Sequence, residues 1–163
     1  MTTKEYNELV KCHSDGAYRY ALRLVKDGDT AHDLIQDCFE KIWIRCKQID
    51  VEKSKSYLFM TIHNGAMDLF RRSKFVDDKA DVTLVDKRFD TNQYSDLQEQ
   101  LHEALESLPE IQRSVVLLRD YEGYSYDEIA EITNLNESQV KVYIFRARKS
   151  LRKYIGSIEN LVD

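Results

Sequence analysis

The chain has 163 residues, a formal net charge of −5, 42% hydrophobic and 33% charged side chains, one proline and five glycines. That length suits one ordinary domain or two small ones, and the apolar content is enough to build cores, which excludes wholesale disorder. So few prolines and glycines among so many charges predict long amphipathic helices and few tight turns.

No run approaches the roughly 18 apolar residues of a membrane span, and MTTKEYNELVKCH lacks the apolar core of a signal peptide. The expectation is a soluble cytoplasmic protein with no direct membrane insertion. Cys12, Cys38 and Cys46 are odd in number and form no C-x-x-C. Nothing in their spacing gathers them with His13, His32, His63 or His102. They read as small buried hydrophobes in a reducing compartment, not as disulfides or metal ligands.

Thr3 to Val25 predicts a first helix, with Tyr6, Val10, Ala17, Ala21 and Leu24 near helical spacing. Asp27 to Thr30 (DGDT) reads as a turn followed by an N-cap signal. In the next segment Ala31, Leu34, Ile35, Cys38, Ile42 and Cys46 form one apolar stripe, widened by Phe39 and Trp43. Asp33, Gln36, Asp37 and Glu40 fall on the opposite side. That acidic face fits a solvated surface as well as a basic partner. After the polar loop IDVEKSK, helical periodicity resumes through Leu58, Ile62, Met67 and Phe70 and closes on Arg71, Arg72 and Lys74, where cations complement a helix C-terminus.

From Phe75 to Glu110 there are ten acids and three bases, and the first part has no sustained period, so it reads as a linker. Leu97, Leu101, Ala104, Leu105 and Leu108 restart a helix. Pro109 marks a further helical start at the first position. Val115, Val116 and Leu118 carry that helix to Tyr121, and Gly123 suits a left-handed C′ residue.

Ser125 and Glu128 form a capping box that opens a short helix, with Ile129, Ala130 and Ile132 inside. Asn134 tolerates left-handed backbone, and Asn136 can cap the following helix. There Val140, Ile144, Ala147 and Leu151 face inward. Helix, three-residue turn and helix make a helix-turn-helix. Between Val140 and Lys153 lie six bases and no acid, +6 within a total of −5, so the remainder carries −11. Lys141, Phe145, Arg148 and Arg152 make one outer strip, and Val142, Arg146, Lys149 and Lys153 its neighbour. Cations on the outside of the second helix suit phosphates and guanine edges in a major groove. The acidic remainder limits indiscriminate binding to DNA.

Two separated motifs carry a resemblance. DLIQDCFEKIW (Asp33 to Trp43), continued by SYLFMTIHNGAMDLFRR, and the stretch from Leu108 to Leu151 are similar to regions two and four of the extracytoplasmic-function sigma factors, the two-domain minimal type of bacterial sigma factor. The likeness spans nearly all the chain apart from the linker. It implies an all-α fold of two small helical domains, 1–74 and 96–163, joined by a polar linker, 75–95, with the helix-turn-helix in the second. It implies no bond chemistry, but binding to core RNA polymerase and to promoter DNA, with help in opening the duplex. Asp33, Gln36 and Asp37 would dock on the polymerase. Tyr57, Asn64, Arg71 and Arg72 would handle the minus-10 element, where aromatics stack on unpaired bases and cations follow the backbone. Tyr57 stands where a tryptophan is common, and it reads equally as a core aromatic. Gln139, Lys141, Val142, Phe145 and Arg146 would read the minus-35 element or the backbone beside it, with Arg148 and Lys149 on phosphates. The resemblance also implies a membrane-linked anti-sigma factor as partner.

Other classes fit less of the chain. A response-regulator type of helix-turn-helix protein would alternate strands and helices in its first half, whereas residues 1–74 read as all helical. A non-DNA adaptor leaves the basic helix without a purpose. No Gly-rich phosphate loop, metal-ligand spacing or nucleophile motif points to an enzyme, a metal or a cofactor.

Overall fold

Side-chain caps set where the helices begin. In a computed structural model that describes residues 1–77 and 96–159, every element among the described residues is helical. Thr2 and Glu5 form a reciprocal capping box that opens α1 (Thr3–Val25). Asp27 accepts the Thr30 backbone N–H at 3.0 Å and its hydroxyl at 2.6 Å. That satisfies a donor the helix end would leave orphaned and draws the expected turn residues into α2 (Gly28–Ile44). The polar loop holds two 3-10 turns, Cys46–Gln48 and Val51–Lys53. Then come α3 (Ser54–Asp77), α4 (Asp96–Glu106), α5 (Glu110–Val116), a π-helical turn (Leu117–Tyr121), α6 (Tyr126–Thr133) and α7 (Glu137–Glu159). Pro109 takes the N-cap and not the first helical position, because its ψ of 148° is still extended.

Helices α1 to α3 pack around Leu9, Ala17, Ala21, Leu24, Leu34, Ile35, Cys38, Ile42, Leu58, Phe59 and Ile62. Gly65 permits the close approach of α3 to α2, since a Cβ there would sit 2.5 Å from Leu34 Cδ1. Helices α4 to α7 pack around Leu105, Leu108, Val115 to Leu118, Ile129, Ile132, Val140, Ile144 and Ala147. The two groups share one contiguous apolar cluster, with α6 laid on α3 and α5 on α1.

The joint between them also holds buried polar groups. Ser114 Oγ lies 2.7 Å from both Tyr20 Oη and His63 Nδ1. All three groups are satisfied when Tyr20 donates to Ser114 and Ser114 donates to a neutral His63. Arg113 is also buried, and its guanidinium donates to the carbonyls of Leu24 (2.8 Å), Leu108 (3.1 Å) and Leu105 (3.2 Å).

Two expectations about burial change. Cys12 is exposed while Cys38 and Cys46 are buried, because position 12 falls off the α1 stripe that buries Leu9, Ala17 and Ala21. Trp43 is 47% exposed, lying across Tyr6 at 4.9 Å between ring centroids instead of widening the buried stripe. The linker expected at 75–95 lies outside the described residues from position 78 on, as does the Leu97 side chain. No described helix is long and apolar enough to cross a membrane, and no described cluster of three His, Cys, Asp or Glu side chains could hold a metal.

Burial pulls the His63 imidazole down to about 4, against about 6.5 in an unfolded chain. Between those values the unfolded chain takes up a proton that the folded chain refuses. This contribution to stability is therefore complete above pH 6.5 and falls as pH drops toward 4, by roughly 3 kcal/mol in all. Urea midpoints measured from pH 7.5 to 4 should show that slope, and His63→Gln should flatten it.

Candidate nucleic-acid interface

The geometry of α6, its turn and α7 follows from the caps. Ser125 Oγ accepts from Glu128 N at 3.3 Å, and Glu128 accepts from Ser125 N at 2.9 Å. Asn134 sits at φ 56°, ψ 39°, the left-handed region that lets α6 stop and the chain reverse. Asn136 Oδ1 accepts from Gln139 N at 2.8 Å, and Gln139 Oε1 accepts from Asn136 N at 3.0 Å. Gln139 is thus half of a second capping box, and only its amide –NH2 remains to reach outward.

Val140, Ile144 and Ala147 are buried and Leu151 half-buried, so the opposite side of α7 faces solvent. It presents Val142, Arg146, Lys149 and Phe145, the last 66% exposed. Arg146 and Lys149 make no ion pair among the described residues. Lys141 and Arg148 are tethered. Lys141 Nζ lies 3.2 Å from Glu137 and 5.6 Å from the Tyr126 ring centroid. Arg148 makes a two-pronged pair with Asp120, at 2.6 and 3.2 Å. Arg119, one residue earlier in the π-helical turn, lies over the Tyr126 ring, 4.5 Å from its centroid, and donates to Tyr124 O. The neighbouring Asp127 and Glu137 carboxyls share one proton more readily than either binds it alone, which raises the first and lowers the second. Of these four cations, Arg146 and Lys149 are therefore free, Arg148 is held from outside the helix by Asp120, and Lys141 is held by Glu137 one turn back on α7 itself. Asp120 is absent from the sequence-based candidates, because nothing in spacing reveals that a π-helical turn aims it at α7.

On α3, Asn64, Arg71 and Arg72 are exposed, and Tyr57 is half-buried against the core. Arg71 pairs with Asp68 at 2.8 Å. Asp68, Arg71, Arg72 and Phe75 line a shallow depression, and Phe75 is 80% exposed. Tyr57 lies about 21 Å away along the same helix. The aromatic beside the two arginines is thus Phe75, one turn on, which the sequence reading assigned to the linker. Its spacing of three and four residues from Arg72 and Arg71 is the signal that finds it.

On α2, Asp33, Gln36, Asp37 and Glu40 are all exposed on one face. The helix ends in Trp43 and the 73%-exposed Ile44. The three sets of candidates occupy three different helices and do not converge on one pocket. A surface of this kind binds extended partners and does not enclose a small molecule.

Two family descriptions match the chain, "Sigma-70 region 2" over residues 9–76 and "Sigma-70, region 4" over residues 98–151. The RNA polymerase sigma factor SigV of Bacillus subtilis is 33% identical over 159 residues, covering 93% of this chain and 92% of its own. The chain belongs to the extracytoplasmic-function RNA polymerase sigma factors. SigM of the same organism, named in that group, is 26% identical over 90% of this chain and 92% of its own. Among solved structures, the sigma factor RpoE from Bartonella quintana, held with the anti-sigma factor NepR, superposes with a TM-score of 0.81 at 25% identity, over 94% of this chain and 98% of that one. CnrH, solved with the cytosolic domain of CnrY, shares the fold at a TM-score of 0.71 and 21% identity, over 96% and 90% of the two chains. This sigma factor binds core RNA polymerase and directs promoter-specific initiation of transcription.

The Arg148–Asp120 pair is about one-third exposed on both sides, so solvent screens it. A double-mutant cycle on Arg148→Ala and Asp120→Ala should give a coupling of about 0.5 to 1 kcal/mol at low salt, in urea unfolding, and much less at 1 M salt.

Proposed function

We propose that the sigma factor divides its work among three helices. The exposed strip of α7 reads the minus-35 element, with Arg146 and Lys149 as its freest cations, Val142 and Phe145 as apolar contacts, Lys141 and Arg148 beside the backbone, and the Gln139 amide at the helix start. The exposed side of α3 handles the minus-10 element through Asn64, Arg71 and Arg72, with Tyr57 at the near end and Phe75 added as a stacking aromatic. The acidic face of α2, through Asp33, Gln36 and Asp37, docks on a basic surface of core polymerase, and Trp43 and Ile44 extend it with apolar contact.

The observation that carries this reading is α7. A chain of net charge −5 exposes Arg146, Lys149 and Phe145 together on the second helix of a helix-turn-helix. The domains we assign are 1–74 for polymerase and minus-10 binding and 96–163 for the minus-35 element, with 75–95 between them. The protein acts in the cytoplasm and catalyses no bond chemistry of its own. By likeness to RpoE, held with the anti-sigma factor NepR in its solved structure, its partner is an anti-sigma factor, and we take that factor to be linked to the membrane.

Two variants separate the roles. Arg146→Ala should lower transcription from the cognate promoter roughly 10- to 100-fold while leaving core polymerase affinity intact. Asp33→Ala with Gln36→Ala should weaken core binding in a pull-down or titration and spare DNA contacts once the holoenzyme is saturated. Wild-type behaviour of both variants in both assays sinks the assignment.

A further inference from the structure

The two exposed strips of α7 differ in chemistry. Gln139, Val142, Arg146 and Lys149, spaced by three, four and three residues, lie along one line. Lys141 and Arg148 lie along the other, and both are tied to carboxylates, Glu137 at 3.2 Å and Asp120 at 2.6 Å. The cations without an ion pair among the described residues therefore share their line with Gln139. Gln139 stands at its N-terminal end, the part of such a helix that meets base edges.

A glutamine amide carries one acceptor oxygen and two N–H donors. Here the oxygen is committed. The Asn136 backbone N–H donates to Gln139 Oε1 at 3.0 Å, and Gln139 N donates back to Asn136 Oδ1 at 2.8 Å. A backbone N–H can only donate, so the side-chain atom that meets it is the oxygen, and the –NH2 is turned away. Freeing that oxygen would undo the cap and loosen the first turn of α7.

We propose that Gln139 is a specificity residue that reads a keto base, guanine or thymine, through its –NH2 alone, and that its cap rules out adenine. This inference rests on the reading of α7 given above and names the class of base. Glutamine selects adenine by a two-pronged contact, its oxygen accepting from N6 and its nitrogen donating to N7. An amide whose oxygen is turned back on Asn136 cannot offer both prongs to one base edge. What remains is a donor. In the major groove guanine meets it with N7 and O6, and thymine with O4, whereas cytosine presents only the N4 donor. The neighbours on the line agree. Arg146 has donors and no acceptor, and Val142, 44% exposed, suits the thymine methyl. None of these three side chains has an acceptor left for an exocyclic amino group. Ser138, exposed one residue earlier, has a hydroxyl that donates or accepts, so it favours neither class.

The test uses the full chain with core polymerase and a library of duplexes randomised upstream of a start site, sequenced after selection by transcription. Gln139→Glu can keep the cap, as Glu128 does for Ser125 N in α6, but turns the outward –NH2 into an oxygen. It should reverse the preference at one base pair and leave the others unchanged, while Gln139→Ala should level that pair. The urea midpoint should fall for Gln139→Ala and hold for Gln139→Glu. Duplexes with one analogue at that pair then identify the atom read. Removing the keto oxygen, or the amino group opposite it, breaks the same Watson–Crick hydrogen bond. Only the first should also weaken holoenzyme binding, by roughly 5-fold. A loss that follows the amino group overturns the inference. So does a preference that neither variant moves, or a midpoint that Gln139→Ala leaves in place. A wild type that enriches no sequence, or Arg146→Ala shifting no position, sinks the reading of α7 itself and this inference with it.

Discussion

One guanidinium holds the architecture together. Arg113 is a full charge withdrawn from water, and such a charge is tolerated only when its donors are matched. It finds its acceptors where helices end, at carbonyls that no helical N–H can reach. Leu24 O belongs to the last turn of α1, and Leu105 O and Leu108 O lie at the end of α4 and just past it. The negative ends of two helix dipoles therefore point at one cation. Through that single side chain the ends of α1 and α4 and the start of α5 share a fixed point, which places Ser114 against Tyr20 and His63, α6 against α3, and finally α7 at the surface.

The placement matters because the recognition helix carries little positional information of its own. Its inner residues, Val140, Ile144 and Ala147, seat it, but ion pairs set part of the register of its cations. Asp120 fixes Arg148 from outside the helix and Glu137 fixes Lys141 from within it, while Arg146 and Lys149 remain free to follow DNA. Fixed cations lose less conformational freedom on binding than free ones. The sigma factor thus combines pre-set contacts with adaptable ones on a single strip, inside a molecule whose overall charge repels DNA.

Much of this was legible in the residues. Ser125–Glu128, Asn134 and Asn136 wrote the helix-turn-helix, because caps and left-handed positions act within a few residues of one another and need no tertiary context. The α2 stripe was legible for the same reason, since burial on a helix follows a fixed period. Trp43 escaped it. A ring large enough to reach across to Tyr6 finds cover without entering the core. Arg113, Ser114 and His63 gave no sequence signal at all. Each is an ordinary polar residue on its own helix, and their meaning comes from partners 51 to 94 positions away. Asp120 was hidden by the π-helical turn, which shifts the face that periodicity would assign to it.

The shared core has a consequence for the lifetime of the protein. Each half has fewer than about 80 residues, a size at which one small core seldom supplies ample stability. Packed together, the halves bury apolar surface that each lacks alone. Any opening of the joint therefore loosens both halves at once and presents their helices to proteases. How long the chain survives then follows from how firmly this one shared core stays closed.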